Sequence, residues 1–352
     1  MNKKVAIIGS NSIHTIRYLH NISHAFDSIV LITNQYIDNL VNNITQYQID
    51  FQLKNYFASK KIAKILIKHN VEIVHIHQAN SYAFHTIRAI KKYQLNCKII
   101  LTTWGSDILV LPHQNLINKK IVEFNLKNAN VITSDSLYMS YKIIQLMPQV
   151  QELHLINFGI DIPPELPNIN YKQNIIFSNR LHKDLYQIDK IIIAFAKLIK
   201  IDMYQDYQLV IAGSGVKTKY LQQLAKDLKL NQNQIKFIGF VTPDILKFWY
   251  KIAKIFVSIP ISDAVSISLM EAMAFGCYPI LSNIPANLEF IIHNFNGIIN
   301  QQSSYLTNDI IMAIDIYQNT TQIQAIIQQN YTIIHNLGNA QINSQKFIKL
   351  LQ

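Results

Sequence analysis

Short, almost uninterrupted apolar runs recur along this chain with helical text between them. KVAIIGS, IVLIT, VEIVHIH, KIILTTWG and NVITSD, then NIIFSNR, YQLVIAGSG, IKFIGFV, IFVSIP and YPILSN, have the length of strands but lack the alternation of a sheet with one wet face. Strands apolar on both sides, separated by helical segments such as 57–69 and 82–93, require a parallel sheet covered by crossover helices on both faces. The run INFGIDIPPELPN, Ile156 to Asn168, breaks the series with turn residues and prolines and reads as a linker. With 352 residues, 49% of them hydrophobic, the chain can fill two such cores. The expectation is α/β, with one parallel domain over 1–165 and a second over 166–335. The helical text at about 336–352 is expected to pack back on the first.

Charge and cysteine usage exclude several classes. The net charge is +11, yet the excess is spread evenly, with 16 basic against 10 acidic residues up to residue 165 and 16 against 11 beyond it. A nucleic-acid binder concentrates its charge on one arm or face, so no nucleic-acid partner is expected. The local exception is Lys54, Lys60, Lys61, Lys64 and Lys68, interleaved with Phe51, Tyr56, Phe57, Ile62, Ile65 and Leu66. This pattern suits an amphipathic helix that rests on anionic lipid or has a simple solvated face. Cys97 and Cys277 lack any paired spacing, which points to neither a disulfide framework nor a zinc site and fits a reducing cytoplasm. The first apolar run stops at Gly9, too short for a signal peptide, and Lys197 interrupts KIIIAFAKLIK, so no segment spans a bilayer. A cytoplasmic protein, peripheral on the inner membrane face at most, is expected.

One stretch combines spacing with charge chemistry. SDAVSISLMEAMAFGCYP, Ser262 to Pro279, follows a buried strand and opens a helix near Ser266, with Ser266 and Ser268 as candidate caps and Gly276 as the stop. Leu269, Met270, Met273 and Ala274 repeat at helical spacing and should face a core. Asp263 stands eight residues before Glu271, at the positive end of the helix dipole. Two carboxylates would then flank an anion site, although a plain strand-to-helix connection with a solvated Asp and a surface Glu meets the same pattern.

Other segments add cations and close-approach backbone. Arg180 ends the first strand of the second domain, with His182 and Lys183 behind it; a guanidinium fork and a mobile ammonium suit a diphosphate, and a surface turn suits them equally. Gly213-Ser214-Gly215 follows LVIA but is too short for a dinucleotide fingerprint or a phosphate loop. Gly239 at the end of IKFIG lets backbone approach a flat base, or makes a tight turn.

Taken in order, SNRL with DKIIIAFAKL, LVIAGSG, IKFIGFV, SDAVSISLMEAMAFGCYPILSNIPANLEFI and NGIIN resemble the C-terminal half of the retaining GT-B glycosyltransferases of family 4. GSNSIHTIRYL, VHIH, TTWGSDIL, SDS and NFGID resemble its N-terminal half, so the likeness covers essentially the whole chain. It implies two Rossmann-like domains facing a central cleft, and transfer of a sugar from a UDP- or GDP-linked donor to a glycan or lipid-linked acceptor. Retention of configuration and a role in cell-surface polysaccharide or lipopolysaccharide assembly follow, with no metal and no cofactor beyond the nucleotide sugar. By the same resemblance Glu271 would hold the ribose, Asp263 the transferred sugar, and Ala264, Val265, Ser266, Ser268 and Leu269 the diphosphate side of the donor. Arg180 and Lys183 would neutralise the leaving group, with Gly213 beside the donor and Gly239 and Phe240 around the base. His14 and Arg17 would face the reacting centre, and His77, Trp104 and Asp107 the acceptor. Three departures stand out. Leu185 occupies the place of the usual lysine, followed by Tyr186 and one extra residue. Ala264 replaces a glycine, and Trp104 stands where many relatives have histidine. The resemblance leaves a GT-B epimerase or a non-catalytic nucleotide-sugar module as alternatives.

Overall fold

The structure, a computed structural model, describes residues 3–352. It divides into two compact units, one running as far as Phe158 and rejoined by Ala340–Gln352, the other Gly159–Asn339. Both are parallel α/β sheets.

The first unit has seven strands: β1 (Val5–Gly9), β2 (Ile29–Thr33), β3 (Ile44–Gln48), β4 (Ile73–His77), β5 (Lys98–Thr102), β6 (Val131–Ser134) and β7 (Leu153–Leu155). They lie in the order β3-β2-β1-β4-β5-β6-β7. All pairings are parallel, with Val5 opposite both Ile29 and Ile73. Strands β1, β2, β4 and β6 are buried throughout, as their continuous apolar runs require. The two edge strands had no such signal. ITQYQ in β3 is polar and half-exposed, and β7 is three residues long. One sheet face is covered by the helices Ala58–Lys68, Ser81–Lys92 and Leu116–Asn128, through Ile62, Leu66, Ile87 and Val122. The other carries Tyr18, Leu19 and Ile22 of the helix Ile13–Ile22, with Phe347, Ile348 and Leu351 of the last helical segment. Burying a side chain of that size contributes roughly 1.5–3 kcal/mol.

The second unit has six strands: β8 (Gln173–Asn179), β9 (Gln208–Ala212), β10 (Ile235–Gly239), β11 (Ala253–Ser258), β12 (Tyr278–Ser282) and β13 (Ile298–Asn300), in the order β10-β9-β8-β11-β12-β13. Strand β13, within NGIIN, is not among the strands expected from the apolar runs: Ile298–Asn300 is buried and pairs in parallel with β12. Three residues bounded by Asn and Gly are too few for a periodic signal. One core contains Ile191, Phe195, Ile211 and Ile314; the other contains Phe177, Phe256, Met270, Met273 and Ile334. No helix among the described residues is long and apolar enough to cross a membrane.

Lys172, just before β8, is buried among the second of these cores. Its Nζ donates to the carbonyls of Tyr250 (2.9 Å), Ala253 (2.8 Å) and Phe275 (2.8 Å). These acceptors close the helices Pro243–Ile252 and Ile267–Ala274, where the dipole favours a cation. Burial holds its pKa below the usual lysine value, and Cys277 alongside pulls it back up. Lys172→Met keeps the bulk but removes three donors from buried carbonyls, so stability should fall by roughly 3 kcal/mol or more. Urea unfolding measures this, and an unchanged midpoint would show that the ammonium is not structural.

Candidate functional site

In the second unit the chain runs outward from β8 to β9 and β10, then returns to β11 on the other side. Loops leaving β8 and β11 therefore diverge and open a crevice beyond their carboxyl ends. Arg180 leaves β8 directly. Its Nη1 donates to Ser266 Oγ at 2.6 Å and its Nη2 to Asp263 Oδ2 at 2.5 Å, both on the loop after β11. The Tyr186 ring lies beneath the guanidinium, 4.4 Å from its central carbon. Two further bonds close the same seam: Ile261 N–H to the Leu185 carbonyl (2.9 Å) and Gln187 Nε2 to the Ile259 carbonyl (2.8 Å). The Arg180 and Asp263 side chains are 10% and 19% exposed, so the pair is shielded yet reachable. Burial raises the Asp263 pKa above the ordinary carboxylate value, against the pull of Arg180 and the Ala264 amide.

The expected helix is Ile267–Ala274, and Ser266 caps it by accepting from Leu269 N–H at 3.4 Å. Ser268 is not a second cap; its hydroxyl donates to the Asn179 carbonyl at 3.3 Å, fastening the helix to the end of β8. Leu269, Met270, Met273 and Ala274 are buried, and Gly276 ends the helix at φ +77°. The first-turn amides of such a helix have no intrahelical acceptor and face the mouth of the crevice with the positive dipole end. Ala264 and Val265 are half-buried on the loop. Glu271 is half-buried one turn in, and its charge helps to raise the Tyr250 pKa, after burial itself.

Gly213 has a steric role that spacing alone could not disclose. Its φ is +103°, and a Cβ there would lie 2.4 Å from the Arg180 carbonyl oxygen; one on Gly215 would lie 2.6 Å from that of His182. The Gly-Ser-Gly turn is thus pressed against the backbone that carries Arg180, with His182 N–H donating to the Ser214 carbonyl at 3.2 Å. Gly213 N–H also donates to the Gly239 carbonyl at 2.7 Å. Around Gly239, at φ +69°, there is open space, and Phe240 beside it is 85% exposed. Lys183 is exposed in the Arg180 loop, whereas nearby Lys217 pairs with Asp184 at 3.0 Å.

The candidates of the first unit collect beyond the carboxyl ends of β1, β4 and β5. His14, in the first turn after β1, meets Trp104 edge-on (centroids 5.4 Å) and stacks near Phe158 (6.5 Å). Burial, then the Arg17 charge, holds its pKa below the usual histidine value. His77 packs against Tyr18, Trp104 and Phe158, and burial followed by the His14 charge pushes its pKa down to about 3, so the ring is neutral. Neither His77 ring nitrogen, nor Trp104 Nε1, has a hydrogen-bond partner among the described residues. His75 is committed elsewhere: Nδ1 pairs with the Tyr18 hydroxyl (2.7 Å) and Nε2 with Thr102 Oγ1 (2.6 Å), which leaves no lone pair for a metal. Among the described residues no group of three or more His, Cys, Asp or Glu could hold a metal ion. Asp107 is buried and accepts from Ala79 N–H (2.7 Å) and Trp104 N–H (3.0 Å), which fixes the Trp104 loop from behind.

Thus one network unites Arg180, Asp263, Ala264, Ser266 and Ser268, with Gly213 buttressing it. Sequence reasoning missed Tyr186 and Asn179 as members, and Tyr250, whose hydroxyl accepts from Asn179 Nδ2 at 3.2 Å. Only the insertion at Leu185-Tyr186 hinted at the first, and nothing local marked the others.

Two family models match the chain: "Glycosyl transferases group 1" over residues 161–317 and "Glycosyl transferase 4-like" over residues 4–136. Among curated proteins, N-acetyl-alpha-D-glucosaminyl L-malate synthase of Bacillus anthracis is 22% identical over 266 residues, 72% of this chain and 68% of the relative. An uncharacterized glycosyltransferase of Methanocaldococcus jannaschii is 36% identical over 126 residues, 35% of this chain and 30% of that one. Among solved structures, HepE of Anabaena in complex with UDP superposes with a TM-score of 0.78 at 14% identity over 99% of both chains. Its complex with UDP-glucose gives 0.78 at 15%, again over 99% of both, and this likeness bears on the fold, which is GT-B.

Gly213→Ala would meet both a left-handed backbone and the Arg180 carbonyl, so it should destabilise the second unit by roughly 1–3 kcal/mol. Thermal unfolding reads this directly, and a wild-type melting temperature would disprove the close approach.

Proposed function

This chain belongs to the group 1 glycosyltransferases, and we propose that it moves a sugar from a UDP- or GDP-linked donor to a glycan or lipid-linked glycan with retention of configuration. A place in cell-surface polysaccharide or lipopolysaccharide assembly is part of the same reading. The observation that carries it is the meeting, at one switch point, of the Arg180 guanidinium, a helix N-terminus and the Asp263 carboxylate. An anion site beside a carboxylate suits a sugar diphosphate, which offers phosphates to the one and hydroxyls to the other. The complexes of HepE with UDP and UDP-glucose support a uridine donor.

As the sugar–phosphate bond breaks, the ring gains oxocarbenium character and negative charge collects on the departing diphosphate. Arg180 and the first-turn amides after Ser266 supply fixed positive charge there and Lys183 a mobile one, so the reaction is proposed to need no metal. Asp263 lies toward the transferred sugar, Glu271 toward the ribose, and the open backbone at Gly239 with Phe240 takes the base. The departing phosphate helps to deprotonate the acceptor hydroxyl, and no side chain is assigned as its base. His14, Arg17, His77 and Trp104 form the acceptor side, with Asp107 holding the Trp104 loop.

The reaction is tested by following UDP- and GDP-sugars with and without a glycan acceptor, in EDTA. Nucleotide diphosphate should be released only when acceptor is present, and EDTA should not slow it. Conversion without acceptor would mark an epimerase, binding without turnover a non-catalytic module, and loss in EDTA restored by manganese would contradict metal independence. Removing a well-aimed donor costs about 2.7–4 kcal/mol, so Arg180→Ala should lower turnover roughly 100-fold or more. An unaffected rate would take Arg180 out of the mechanism.

A further inference from the structure

The lysine-rich segment between Phe51 and Lys68 has an arrangement that the donor site does not use. In the helix Ala58–Lys68, Ala58, Ile62, Ala63 and Leu66 are buried in the first unit's own core. The apolar face of this helix is therefore not the lipid-facing surface suggested by an amphipathic pattern. What it leaves outside is different. Lys60, Lys61, Lys64, Ile67 and Lys68 are exposed on the opposite face. In the turn that leads into it, Lys54 is exposed beside Leu53, Tyr56 and Phe57, and the two rings are 83% and 69% exposed.

Folding alone does not account for this composition. Asp50 and Glu72 bound the stretch, but no Asp or Glu occurs between residues 51 and 71, so Lys60, Lys61 and Lys64 have no acidic residue within seven positions in sequence. Lys60 and Lys61 sit in the first turn, at the positive end of the dipole, where a cation is disfavoured and no acidic residue offsets it. Phe57 occupies the N-cap position with no side-chain cap bond. Of these lysines, only Lys68 has a side-chain hydrogen bond among the described residues, with the Tyr47 hydroxyl at 3.3 Å. A surface that gathers like charges at the wrong helix end and exposes two bulky rings beside them is built for an external partner.

We propose that Leu53, Tyr56 and Phe57, ringed by Lys54, Lys60, Lys61 and Lys64, form a docking surface for an anionic lipid bilayer. Aromatic rings settle at the level of lipid headgroups, and lysines around them meet the lipid phosphates. The charge complementarity selects the occupant: a neutral bilayer would gain only the rings, and a protein partner would not call for an uninterrupted cation field. Docking is independent of the sugar-transfer reading, since none of these residues belongs to that site.

The test is co-sedimentation of the full chain with vesicles of phosphatidylcholine alone and of phosphatidylcholine with phosphatidylglycerol, at low and high salt. Binding should require the anionic lipid and fall steeply as salt rises. The variants K54Q/K60Q/K61Q/K64Q and Y56S/F57S should each bind at least about ten-fold more weakly while melting at the wild-type temperature. No binding to the anionic vesicles, or binding that both variants retain, overturns the proposal. So does tight binding to a single-stranded oligonucleotide with none to vesicles, which would make the surface a general polyanion site.

Discussion

The bridge from Arg180 to Asp263 and Ser266 is the constraint on which the crevice of the second unit depends. It joins loops that leave β8 and β11 on opposite sides of a switch point, where the sheet itself provides no connection. Two further bonds hold the same seam, from Ile261 N–H to the Leu185 carbonyl and from Gln187 to the Ile259 carbonyl, but only the Arg180 bridge carries charge. The bridge also sets the charge of the crevice. In the proposed reaction the guanidinium starts already shared with a carboxylate, so an arriving diphosphate would compete with Asp263 for the same donors. A shielded pair of this kind is costly to break one-sidedly. Exchange, in which phosphate takes the guanidinium as Asp263 turns to a sugar hydroxyl, leaves neither charge alone.

Much of this was legible in the sequence because parallel sheets advertise themselves. Strands buried on both faces are dominated by apolar residues, so β1, β2, β4, β8, β9, β11 and β12 all stood out, β4 despite its two histidines. Edge strands obey no such rule: β3 alternates polar residues, and β7 and β13 are too short to show a period. The spacing of Asp263 and Glu271 correctly located a helix mouth. What it could not reveal is that Asp263 reaches a residue 83 positions away, since that contact exists only once β8 and β11 are neighbours. Ser268 shows the reverse limit. Its type and place suit a cap, yet the nearby end of β8 offers a carbonyl and takes its hydroxyl.

The first unit teaches a related lesson about histidine. His75 and His77 stand two apart on β4 and face the same side, but their surroundings divide them. His75 is locked into a chain of hydroxyls through Tyr18, Thr102 and Thr133, which holds the sheet's interior polar groups satisfied. His77, one step nearer the strand's end, is kept neutral by burial and left without a partner among the described residues. Chemistry at a strand terminus and architecture one turn of the pleat behind it are set by the same residue type.

Gly213 and Gly215 also divide the crevice into a fixed and a variable part. No side chain fits at either position, because the backbone of Arg180 and His182 already fills the space. Val216 and Phe240, by contrast, project almost wholly into solvent at 86% and 85% exposure. Natural drift in this lineage therefore has one wall on which to act. The residues that clamp the arginine are held by exclusion, while those at the rim can be exchanged at little cost to folding, and changes should accumulate there first.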